Sequence, residues 1–159
     1  MITTAIRQID GEAVHISVVD RGLACGCVCA DCGERFIARQ GQQRAHVFAH
    51  YTQTNCQGEG NLHKKGKQIL MDELRLTINH PDLDSPVTQI FETGTEEVAR
   101  GGVRIDCLMD IGNKKNKLPI DSTELAVEIK VSHAVDEQKR LKLRELGLQT
   151  IEINLTNLA

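Results

Sequence analysis

Residues 103–132, VRIDCLMDIGNKKNKLPIDSTELAVEIKVS, constrain the fold of this chain more than any other stretch. Val103, Ile105, Cys107, Met109 and Ile111 alternate with Arg104, Asp106, Leu108 and Asp110. Leu125, Val127, Ile129 and Val131 alternate with Ala126, Glu128, Lys130 and Ser132. Successive side chains leave opposite faces of a strand, so this period of two predicts two strands joined by a long turn. Glu128 and Lys130 then share a face. If the strands pair with their apolar phases matched, Asp106 joins them.

That convergence carries a cost. A buried charge without a partner is strongly disfavoured, and two carboxylates sharing a site repel unless a cation lies between them. A hard divalent ion such as Mg²⁺ or Mn²⁺ takes oxygen ligands. Asp106 and Glu128 offer them. A neighbouring lysine, Lys130, can position an attacking water or neutralise a phosphodiester oxygen. The plainer reading of Glu-x-Lys on an amphipathic strand is a solvated face.

At 159 residues the chain suits one domain, or a core with a small appendage. Aromatic residues make up 3% with no Trp, which argues against a stacking platform for single-stranded nucleic acid. A net charge of −3 does not advertise a nucleic-acid binder, so any such affinity must come from local runs. Two exist, at Lys64, Lys65 and Lys67 and at Lys114, Lys115 and Lys117; runs of this kind are usually solvated turns and helix faces. No stretch has the length and apolarity of a signal peptide or membrane span, so a cytoplasmic chain with no membrane partner is expected. In that compartment six cysteines point to metal rather than disulfides.

Residues 5–19 predict a hairpin about Asp10-Gly11, with Val14, Ile16 and Val18 facing a core. Cys29 and Cys32 then have the C-x2-C spacing of a zinc knuckle, closed by Gly33. A second hairpin, Phe36–Arg39 with Arg44–Phe48 around Gln40-Gly41, would carry His46 and His50 back to it. The spacing C-x2-C-x13-H-x3-H is close to that of known zinc sites. Cys56, Cys25 and Cys27 are further candidate ligands, against the alternative that several residues of this segment are buried thiols or solvent-facing imidazoles. A closed four-ligand site would make the zinc structural.

Residues 59–78 read as a helix with the apolar stripe Leu62, Ile69, Leu70, Leu74 and Ile78. Glu59, His63 and Lys67 share a second stripe. They are surface pairs, or they point into a site from the helix N-terminus, where the dipole favours a phosphate. Pro81 to Pro86 reads as a turn-rich link, Val87–Glu92 as a short strand, and the Gly- and Glu-containing segment after it as a loop. Val135–Leu146 reads as a helix capped by Ser132 or Asp136 and stopped by Gly147, followed by a strand from Leu148 to Leu155. Lys139 would add positive charge near the site for nucleic acid, as would Lys64; Arg140 reads as an exposed helix face.

Several features fall in one order: the C-x2-C knuckle, Phe48-Ala49-His50, Glu59 with Leu62-His63, Lys67, Arg104 with Asp106, and Glu128 with Lys130. This order resembles the CoiA-like competence protein family, over roughly residues 23–155. The resemblance implies a zinc-knuckle module at residues 1–57. It implies a PD-(D/E)xK nuclease-like domain at 58–159, an α/β restriction-endonuclease-like mixed sheet flanked by helices. It implies Glu59, Asp106, Glu128 and Lys130 as catalytic, with His63, Lys67 and Arg104 beside them, and Cys29, Cys32 and His50 as zinc ligands. The sequence departs from the family where Val47 replaces a histidine before Phe48, so that His46 sits one position away and Cys56 becomes the alternative ligand. The proline of the motif name is also replaced, by Ile105. The expected activity is divalent-metal-dependent hydrolysis of nucleic acid, DNA in particular, by a chain that can pair as a homodimer. The rival is a non-catalytic adaptor that keeps the nuclease fold.

Overall fold

The computed structural model describes residues 1–79, 81–132 and 137–158. It divides into two compact units, Met1–Gln68 with Asn154–Ala159, and Ile69–Ile153. The division between these units falls inside the first α-helix. Among the described residues there are two α-helices and four sheets, an α/β composition. None of the described helices is long and apolar enough to cross a membrane.

The first unit begins with the predicted hairpin, β1 (Thr4–Arg7) against β2 (Ala13–His15), paired from Thr4↔His15 to Ile6↔Ala13. Gly11 takes φ +73 in the turn, where Asp10 accepts the Glu12 N–H. Beyond His15 the chain tightens into a 3₁₀ turn, Ile16–Val18. At three residues per turn the second-neighbour rule of a strand no longer holds. Ile16 is buried and Val18 is exposed, which corrects the expected common face. β3 (Cys27–Val28) pairs with the other side of β1. A second hairpin is also present, but its return strand starts three residues later than expected: β4 (Phe36–Arg39) pairs with β5 (Val47–His50), not Arg44–Phe48, in the register Phe36↔His50 to Arg39↔Val47, with residues 40–46 as the loop. Its strands alternate. Phe36, Ala38 and Phe48 join the core with Ala5, Val14, Ile16, Cys25, Cys27 and Cys29, while Ile37, Arg39 and Val47 face outward. The Phe36 and Phe48 rings stack at 5.5 Å.

Helix α1 runs from Glu59 to Glu73, shorter than its apolar stripe suggests. Leu74 takes φ +46 and Arg75–Ile78 becomes β6, paired antiparallel with β7 (Val87–Ile90). The Thr77 and Thr88 hydroxyls, 2.9 Å apart, and Phe91 N–H to Leu74 carbonyl, 2.8 Å, fix this pairing. Ile69, placed by its spacing on the buried stripe, is half exposed, whereas Leu70 is buried.

The segment predicted as a loop after β7 is an eight-residue strand, β8 (Thr93–Arg100). It pairs with β9 (Val103–Asp110) through Gly101-Gly102, both with positive φ, the conformation that a two-residue hairpin turn demands. β10 (Glu124–Lys130) pairs with β9 as Leu125↔Met109 and Val127↔Cys107, so the apolar phases match as expected. α2 (Glu137–Glu145) leads to β11 (Gln149–Asn154), giving the sheet order β11-β10-β9-β8. The predicted helix start at Val135 and cap at Asp136 lie outside the described residues. The predicted stop holds: Gly147 has φ +71, and the Gly147 and Leu148 N–H groups reach Arg144 and Leu143 carbonyls at 3.0 Å. Leu143 and Leu148 pack with Ile105, Leu108 and Ala126.

Candidate metal centre

Four side chains of the first unit can hold a metal ion: Cys29, Cys32, His50 and Cys56, whose donor atoms all lie within 4.8 Å of one another. Each is positioned by a local feature of the sequence. Gly33, at φ +71, turns the chain so that its N–H bonds to the Cys29 carbonyl at 2.9 Å, which brings Cys32 round beside Cys29. Pairing of His50 with Phe36 places the imidazole on the inner face of the hairpin, 4.7 Å from the Phe36 ring. The extended segment after β5 delivers Cys56.

The chemistry of this set suits zinc. With Zn–S bonds of about 2.3 Å, two sulfurs of a tetrahedral site stand about 3.8 Å apart. The Cys29 and Cys56 sulfurs are 3.7 Å apart. His50 Nε2 is buried without a hydrogen-bond partner, a costly arrangement for a polar atom that coordination would relieve. Burial pushes the Cys29 thiol up, but the backbone N–H of Cys32 and other donors outweigh it and hold the thiol down at about 7. One of those donors is the Asn61 amide, 3.5 Å from the sulfur. Cys56 is pushed up to about 11 by burial and by its thiol neighbours.

Three other candidates fall outside the quartet. His46 is exposed and precedes β5, so it is corrected as a ligand. On extended backbone an i,i+4 pair stands roughly 13 Å apart, too far to share an ion. Cys56 takes the place given to His46. Cys25 and Cys27 are core thiols: Cys25 donates to the Phe36 carbonyl and Cys27 to the Cys25 carbonyl, and burial pushes the Cys27 thiol up to about 12.

Glu59 opens α1 and is exposed; His63 and Lys64 follow half-buried, and Lys67 is 7% exposed, all four in the first unit. The N-terminus of α1 is not left for a phosphate. The Asp31 carboxylate accepts the Gly60 N–H at 3.0 Å, and a Cβ on Gly60 would overlap it. Asn61, 1% exposed, accepts the Ala30 N–H and donates to the Gly58 carbonyl, both at 2.8 Å. Asp31 and Asn61 thus tie the helix start to the knuckle. Sequence reasoning passed over both, although Asp31 lies inside the C-x2-C loop.

In the second unit the β9–β10 register sets Asp106 and Glu128 on one face, and Lys130, two residues on, shares it. The ladder runs from Glu124↔Asp110 to Val127↔Cys107; at its end Asp106 Oδ2 accepts the Ile129 N–H at 2.8 Å. Glu128 is 1% exposed. Its Oε2 is ion-paired with Lys139 from α2, while its Oε1 is buried with no hydrogen-bond partner. Burial pushes this carboxyl up, Lys139 pulls it down, and the nearby Asp106 charge raises it again. Lys139, read from the sequence as positive charge near the site, is the counter-charge of the buried Glu128. Arg104 pairs with Glu97 at 2.5 Å. The run at Lys114, Lys115 and Lys117 belongs to a loop pinned by buried Gln89, which donates to the Lys115 carbonyl and accepts the Lys117 N–H.

Comparison with protein-family models, with curated proteins and with solved structures finds no match to this chain.

Proposed function

We propose that this chain is a divalent-metal-dependent nuclease of the PD-(D/E)xK type, related to the CoiA-like family, with a structural zinc in its first unit. The observation that carries the reading is the pair Asp106 and Glu128, set on one face by strand register, with Glu128 Oε1 buried and unpartnered. Two carboxylates so placed suit Mg²⁺ or Mn²⁺. Their oxygens would hold it, with the Ile129 carbonyl, which leaves its strand on the same side as the N–H that Asp106 accepts. The bound ion supplies Lewis acidity. Lys130 orients the water that adds to phosphorus as the P–O ester bond breaks, leaving a phosphomonoester and a hydroxyl. Zinc on Cys29, Cys32, His50 and Cys56 supplies folding energy to a unit poor in aromatic residues.

The test is cleavage of single- and double-stranded DNA and RNA with Mg²⁺ or Mn²⁺. Asp106→Asn, Glu128→Gln and Lys130→Met should each abolish cleavage with zinc content unchanged. Activity surviving in Asp106→Asn, or no activity in the parent on any substrate, sinks the assignment. The Lys139–Glu128 ion pair favours a second reading, a non-catalytic adaptor in which lysine stands permanently where the cation would act. That version predicts no Mg²⁺ or Mn²⁺ binding by calorimetry, and Lys139→Met would create it.

A further inference from the structure

We propose that the outer face of the β4–β5 hairpin binds the phosphodiester backbone of nucleic acid through Arg21, Arg39 and Arg44. These three guanidinium groups line a groove of about 760 Å³, floored by Ile37 and Val47. No Asp or Glu lines it. Between Glu34 and Glu59 the sequence has no acid and three arginines, Arg35, Arg39 and Arg44, in a chain whose net charge is −3; Arg21 is brought to this segment from residues 20–22, where Asp20 precedes it.

Backbone geometry builds the cluster. Gly22 and Ala38 exchange backbone hydrogen bonds of 2.9 and 3.0 Å in an antiparallel bridge, with Gly22 at φ +75. Arg21 precedes Gly22 and Arg39 follows Ala38, so the bridge sets the two arginines across from each other. Like charges directly opposite are destabilising. None of the three makes an ion pair among the described residues. An external anion is what offsets the repulsion. The cluster is also held in place: the Gln40 amide donates to the Ile16 and Val19 carbonyls at 2.6 and 3.0 Å, fixing the loop base to the core. Arg44, beyond it on the exposed loop, extends the row. Arg forks and glutamine amides are the groups that hold phosphates without reading sequence. The groove lies on the face opposite His50, so occupation leaves the metal donors untouched. The choice of nucleic acid among polyanions rests on the function proposed above.

Fluorescence anisotropy of a short labelled DNA duplex against the full zinc-loaded chain, without Mg²⁺ and across a salt series, tests the site. The triple variant R21Q/R39Q/R44Q should bind at least tenfold more weakly, and its log–log salt slope should shrink by about 2–3. Unchanged affinity and slope in a variant with normal zinc content overturns the proposal. If the triple variant does not fold, R44Q alone on the exposed loop must lower the slope by about 1, and no change there is equally fatal. Polyglutamate is the control for an acidic protein partner: variants that lose it yet keep the duplex refute a phosphate site. Cleavage surviving in Asp106→Asn would count against the hydrolytic centre alone, and unaltered binding in the arginine variants against the groove alone.

Discussion

Replacing Cys56 by serine tests the metal quartet where structure and spacing disagree most. A structural zinc in a small module has an apparent binding free energy of about 10–16 kcal/mol, so one ligand in four accounts for roughly 2.5–4 kcal/mol. At 1.4 kcal/mol per decade that is about 10²–10³ in Kd. Cys56 is only partly buried, so water can take the vacated position, which puts the expected loss near 100-fold. At a free-zinc level well above the Kd of both parent and variant the same change lowers stability by about 2.7 kcal/mol. Competition with a chromophoric zinc chelator reads the affinity, and thermal melts at fixed free zinc read the stability. His46→Gln is the matched control and should leave both untouched, because His46 is exposed and outside the quartet. Equal weakening in His46→Gln, or tight zinc retained in Cys56→Ser, refutes the assignment.

Glu128 gives a pH signature. Its carboxyl is raised above 4.5 in the fold, chiefly by burial, so the folded chain holds that proton more tightly than the unfolded one. Stability of the Mg²⁺-free protein should therefore fall as pH rises from 4.5 through the folded value, and urea melts with saturating Mg²⁺ should show a smaller fall. Lys139→Met leaves the Glu128 charge buried without its partner; about 3 kcal/mol of destabilisation at neutral pH is expected, and a neutral effect in urea melts would contradict the pairing. Leu143→Ala removes a side chain with no exposure from the sheet-facing cluster and should cost about 2–5 kcal/mol by the same measurement.

The parts of the fold that could be read from sequence are those with an unambiguous period or a short covalent spacing. Strands β9 and β10 alternate cleanly, and their register then places Asp106 beside Glu128 without further information. Cys29 and Cys32 were legible because two residues and a glycine determine their geometry. Leu74 and Ile78 misled because an i,i+4 pair continues a helical stripe as readily as it spans a capped end and a strand; only pairing with Val87–Ile90 decides. β8 was hidden because none of its residues is buried, and an edge strand need not alternate; the Gly101-Gly102 turn was the signal available. His46 misled because the x3 spacing of a zinc histidine pair belongs to helices. The Lys139–Glu128 contact joins a helix to a strand and has no local sequence signature.

The thiols divide in a way that governs how the molecule ages. Cys25, Cys27, Cys29 and Cys107 are buried, whereas Cys32 and Cys56 meet solvent, and both of these belong to the quartet. An oxidant or alkylating reagent therefore finds its way in through the candidate metal ligands. A bound zinc ion would shield them; without it, an oxidant could join the Cys29 and Cys56 sulfurs, 3.7 Å apart, as a disulfide. Loss of a bound ion and thiol oxidation would then be successive stages of one process, undone by reductant as long as it stops at the disulfide, and a count of titratable thiols would double as a gauge of zinc occupancy.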